Sequence, residues 1–123
     1  VRDEPTPPEI LAAVAALLRE TVTPRLTGHA AFLTRVAANA LDLVRREIES
    51  GLAADDAELT RLRTLLGSGG DLGALNAALS AAIEAEEMTL ETPGLADHLW
   101  ATTLDKLAID QPSYGPYRRA TGR

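Results

Sequence analysis

The sequence predicts an all-α protein, a single antiparallel bundle of about five helices spanning residues 1–123. Alanine and leucine make up roughly a third of the chain, a composition suited to helices. Apolar residues recur at spacings of three and four, and no segment alternates with the period of a strand. Proline and glycine break the pattern at short intervals, as a bundle with short connections requires.

The first helix is predicted to open at Thr6, whose hydroxyl can cap it while Glu9 reaches back, with Pro7 at the first helical position. Ile10, Leu11, Val14, Leu17 and Leu18 form its stripe, and Pro24 ends or kinks it. A second helix is expected from about Thr27 to Ser50, with Gly51 as a left-handed stop. Its stripe is Leu33, Val36, Ala37, Ala40, Leu41, Val44 and Ile48, widened by Phe32 and Leu43. A short third helix runs from Asp55, paired with Glu58 as a cap, to about Leu66, with Leu59, Leu62 and Leu66 inward. Gly67-Ser68-Gly69-Gly70 is a flexible break, and Asp71 caps a fourth helix carrying Leu72, Leu75, Leu79 and Ile83. Thr92 and Pro93 start a fifth, with Leu95, Leu99, Trp100 and Leu107 facing in. Residues 110–123 are expected to form an irregular C-terminal tail that frays from Arg118 to Arg123.

Charge and composition exclude several classes of function. The formal net charge is −6, the wrong sign for coating DNA or RNA. There is no cysteine, hence no disulfide framework, thiolate metal site or cysteine nucleophile. No apolar run approaches the ~18–20 residues that span a bilayer, and no signal-peptide pattern is seen. A cytoplasmic setting is expected. Of the twelve basic residues only Lys106 is lysine, a bias read as coding composition. Glu84, Glu86, Glu87, Glu91 and Asp97 make an acidic stretch, and Arg118, Arg119 and Arg123 a basic end.

No catalytic constellation assembles from these residues. The two histidines, His29 and His98, lack second ligands at metal-binding spacing, so no metal site is expected. On a helical wheel His98 falls opposite Leu99, Trp100 and Leu107, in solvent. Gly67-Ser68-Gly69-Gly70 leads into a helix but lacks the lysine and Ser/Thr of a phosphate loop, and Asp71 would repel an anion. No cofactor is expected. The polar residues on or beside apolar stripes are Asn39, Arg46, Glu47, Asn76, Thr103 and Lys106, with Asp110 on the line where the fifth helix ends. They form either a half-buried polar network, with Glu47 paired to an arginine or Lys106, or the lining of a groove for a ligand or partner. Tyr114 and Tyr117 either staple the end of the chain to the bundle or belong to an interface.

Val36-Ala37-Ala38-Asn39-Ala40-Leu41, Arg46-Glu47, Asp71-Leu72-Gly73-Ala74-Leu75-Asn76, and Lys106-Leu107-Ala108-Ile109 with Pro112 and Tyr114 resemble a family of small bacterial helical proteins of unknown function. Its members are typically encoded beside kinases of the aminoglycoside-phosphotransferase type, often with an acyl-CoA dehydrogenase nearby, and include accessory proteins of the levulinate pathway. The resemblance implies a non-catalytic accessory subunit that supports a phosphotransferase-like kinase acting on a hydroxyacyl-CoA. The partner, not this chain, would hold ATP and Mg²⁺. Carried over, the interface or network residues are Asn39, Arg46, Glu47, Asn76, Lys106, Pro112 and Tyr114. The chain departs from the family pattern after Ile83, where Glu84, Ala85, Glu86 and Glu87 replace a basic residue and a glycine.

Two other readings stand beside the accessory subunit. One is a ligand-binding or enzymatic bundle whose pocket is lined by Asn39, Glu47, Asn76 and Thr103. The other is a homo-oligomer that buries its apolar surface by symmetry.

Overall fold

A computed structural model describes residues 4–122, and every regular element among them is helical. The elements are α1 (Pro7–Leu17), α2 (Gly28–Leu66), α3 (Leu72–Glu84), α4 (Leu95–Asp110) and α5 (Gly115–Thr121). The all-α class is as the sequence predicts, but several elements differ in extent. The second and third expected helices are one continuous helix, α2, of 39 residues. Gly51 does not stop it, because a glycine inside a helix costs only about 1 kcal/mol and Leu52, Ala53 and Ala54 resume strong helix formation. Asp55 and Glu58 are interior positions, not a cap. The stop is Gly67, at φ 67°, with its amide donating to the Arg63 carbonyl at 2.9 Å. The second difference is the tail: Gly115–Thr121 is a helix with proline in its first turn. Arg123, part of the expected fraying, lies outside the described residues.

The chain divides into two compact units, one up to Gly51 and one from Leu52. In the first, Thr6 caps α1 by accepting from the Glu9 amide at 3.4 Å. Past α1 the backbone widens into a π-turn at Leu18–Val22, then tightens into a 3₁₀ turn at Thr23–Arg25 containing Pro24. The buried side chains of this unit are small: Ala15 on α1 and Ala31 and Ala38 on α2. Arg19 reaches across to Asn39 and Asp42, so the alanine side of α2 is the side turned toward α1. The leucine, valine and phenylalanine stripe expected to face inward is instead half exposed: Phe32 53%, Leu33 50%, Val36 45% and Val44 47%. Ile10, Val14 and Leu17 of α1 are open in the same way. Alanines let helix backbones approach closely, and the Arg19–Asp42 pair requires this side of α2 to face α1.

The second unit has the larger core. Leu62 of α2, Leu75 and Leu79 of α3 and Leu95 of α4 are buried together, with Leu59, Leu65, Leu66, Leu72 and Met88 packed around them. Burying each such leucine contributes about 2 kcal/mol. Asp71 caps α3, accepting from the Ala74 amide at 2.7 Å. Ile83, expected inside, is 39% exposed. α4 begins later than expected, at Leu95, behind Gly94 in the left-handed conformation (φ 86°). Tyr117 of α5 is buried and α5 packs on α4, so this tyrosine holds the final helix.

Candidate functional site

α4 is turned by about a third of a turn from the orientation its expected apolar stripe suggests, with Leu95 inward in both. Leu95, His98 and Ile109 are buried, with Thr102 and Asp105 half-buried on the same line. Leu99 and Trp100 are open to solvent. His98 is thus not a surface residue but only 1% exposed. This side of the helix is held by Arg61, the residue before buried Leu62. Its Nε–H donates to His98 Nδ1 at 3.0 Å, and its Nη2 donates to Thr102 Oγ1 at 3.1 Å.

A guanidinium donating to Nδ1 requires that nitrogen to be unprotonated, so His98 is neutral and carries its proton on Nε2. Burial lowers its pKa first and the Arg61 charge lowers it further, while Glu58 pulls the other way. Nδ1 is occupied as an acceptor and is not free to act as a base toward a ligand. The cluster therefore pins α2 to α4.

A second polar cluster lies in the first unit. Arg19 Nη2 donates to Asn39 Oδ1 at 2.8 Å, and Arg19 Nη1 is 2.6 Å from Asp42 Oδ2. Arg45 lies 3.6 Å from Asp42 and 3.3 Å from Glu49, with its Nε buried and without an acceptor among the described residues. Asn39, picked out by sequence, belongs here, as a link between α2 and the turn after α1.

The remaining sequence-selected residues divide between the units. Arg46 is half-buried, whereas Glu47 is exposed on α2 and makes no hydrogen bond or ion pair among the described residues. Its carboxylate lies along the helix over Gly51, four residues on, where an added Cβ would sit 2.5 Å from Oε1. In the second unit Asn76 is half-buried on α3, Thr103 and Lys106 are exposed on α4, and Pro112 is half-buried in the turn before α5. Thr103 donates to the Leu99 carbonyl of its own helix at 2.8 Å. Tyr114 is about half exposed. An open concavity in this unit is lined by Gly115, Arg118, Arg119 and Gly122, none of them among the sequence-selected residues.

Sequence reasoning missed Arg61, Thr102 and the burial of His98. The signal was present as a competing stripe: Leu95, His98, Thr102, Asp105 and Ile109 are spaced by three and four. Beside these clusters, Trp100, 58% exposed, shares the outward side of α4 with Leu99, Thr103 and Lys106. Among the described residues no group of His, Cys, Asp or Glu is arranged to hold a metal ion, and no helix is long and apolar enough to cross a membrane.

A family model described as a domain of unknown function (DUF6285) matches residues 24–114. Comparison with curated proteins finds no match, and comparison with solved structures finds none.

Proposed function

We propose, for a chain that belongs to the DUF6285 family, a role as a non-catalytic binding subunit that docks on a partner protein through the outward face of α4. The observation that carries this reading is Trp100, 58% exposed on α4, with exposed Thr103 three residues on, next to it on the helix surface. A tryptophan exposed on a helix surface is the kind of residue that anchors interfaces. Desolvating such an anchor is typically worth about 2–4 kcal/mol of binding.

The partner is a kinase of the aminoglycoside-phosphotransferase type acting on a hydroxyacyl-CoA, in a bacterial cytoplasm, as the resemblance of the helix-borne motifs implies. ATP and Mg²⁺ belong to that partner. The dispersal of the sequence-selected polar residues over two units favours this reading over a pocket lined by Asn39, Glu47, Asn76 and Thr103. The test is to co-purify the chain with the kinase encoded beside it and to measure ATP turnover with and without the chain. A complex that Trp100→Ala abolishes, with altered turnover, supports the reading. No complex and unchanged turnover overturn it.

A further inference from the structure

The open face of α2 in the first unit is built symmetrically about its own middle. His29 and Glu47 are eighteen residues apart, five whole turns at ~3.6 residues per turn, so they stand on one line along the helix. Every residue within about 60° of that line between them is apolar: Phe32, Leu33, Val36, Ala40, Leu43 and Val44. The larger five are 38–53% exposed. The His29 ring stacks on Phe32, centroids 6.3 Å apart, and so lies along this face. Neither His29 nor Glu47 has a hydrogen-bond or ion-pair partner among the described residues.

We infer that this face pairs with the same face of a second copy, the two α2 helices antiparallel and related by a two-fold axis. In the register centred between Val36 and Ala40, Val36 lies opposite Ala40 of the other copy, Leu33 opposite Leu43, Phe32 opposite Val44, and His29 opposite Glu47. Large residues meet smaller or equal ones, and Ala40 at the centre allows close approach of the helices. Each end of the seam joins an imidazole to a carboxylate. The charge at Glu47 selects this occupant, because an apolar partner surface would bury the carboxylate unpaired at a cost of several kcal/mol. A second copy supplies the matching donor, twice, about 27 Å apart at ~1.5 Å per residue. The surface is separate from the Trp100 face of the second unit, so the inference stands apart from the kinase reading.

Sedimentation equilibrium of the full chain, from micromolar to several hundred micromolar, tests the pairing. The expected result is a concentration-dependent monomer–dimer equilibrium. His29→Glu and Glu47→Lys each weaken it, by about tenfold, since each change acts at both ends of the seam. Combining the two substitutions again places a carboxylate opposite a cation at each end, with the two positions exchanged. This double variant restores association to within about threefold of the original. Far-UV circular dichroism checks that each variant remains helical. A chain that stays monomeric throughout overturns the inference. So does a dimer in which the double variant is no tighter than either single one.

Discussion

Arg61 Nε lies 3.0 Å from His98 Nδ1, joining a half-buried guanidinium to a buried neutral imidazole. This contact holds the His98 side of α4 inward, and it fixes how the second unit responds to acid. Because burial and Arg61 hold the His98 pKa below its ordinary value, the folded unit binds fewer protons there than the unfolded chain. Its stabilising effect is complete above the unfolded value of about 6.5 and is lost as pH falls toward the lower folded value. Urea unfolding across pH 7.5 to 5 should show declining stability, and His98→Asn, which keeps an acceptor near Nδ1, should flatten that decline.

Removing the donor is more damaging than removing the titration. Arg61→Ala deletes two hydrogen bonds and leaves buried His98 Nδ1 without a partner. An expected loss of about 1–3 kcal/mol follows from the unmet acceptor, with Arg61→Lys recovering little of it because a lysine cannot span both Nδ1 and Thr102 Oγ1. Chemical denaturation of the three proteins side by side checks this order.

Gly51 is the least favourable residue for helix within α2. Gly51→Ala should stabilise the chain by about 1 kcal/mol, provided the Glu47 carboxylate swings away from the new methyl group, as an exposed side chain readily does. Gly51→Pro should cost about 3 kcal/mol or more. Thermal melts followed by circular dichroism distinguish a continuous helix from one that ends here, because at a true left-handed stop Gly51→Ala would destabilise.

The fully buried side chains of the first unit are all alanines, Ala15, Ala31 and Ala38, while Leu11, Leu18 and Leu41 are half-buried. Ala38→Leu should destabilise by about 1–3 kcal/mol through overpacking, since Ala38 is 0% exposed. Val36→Ser, on the open side, should change the stability of the dilute monomer by less than about 0.5 kcal/mol. The reverse order of effects would mean that the larger apolar stripe faces the core.

Local chemistry makes much of this molecule legible in its sequence. Thr6 and Asp71 cap the helices that their neighbouring residues predict, and Leu62, Leu75, Leu79 and Leu95 are core residues as their spacing suggests. Side-chain orientation is harder to read wherever a helix carries two usable stripes. On α4 the larger apolar residues point to one face, yet a distant arginine holds a face about a third of a turn away. That preference depends on residue 61, 37 positions before His98, and helical periodicity contains no information about it. On α2 the same difficulty arises from size: the periodicity is correct, but alanines take the fully buried positions, and Phe32, Leu33, Val36, Leu43 and Val44 stay largely exposed. Of the sequence-selected polar residues, Asn39 belongs to a real network, whereas Glu47 is exposed and without a partner among the described residues.

The one hydrogen-bond ladder of α2 runs through Gly51, the last residue of the first unit and the neighbour of the first residue of the second. A cut there would create a raw carboxyl end on one fragment and a raw amino end on the other. Each would expose up to four backbone groups that now bond to the neighbouring turn. The boundary between the units is therefore a poor place to sever the chain. A fragment ending there would carry a helix cut in mid-ladder, its last or first turn held only by what residues near Gly51 can supply.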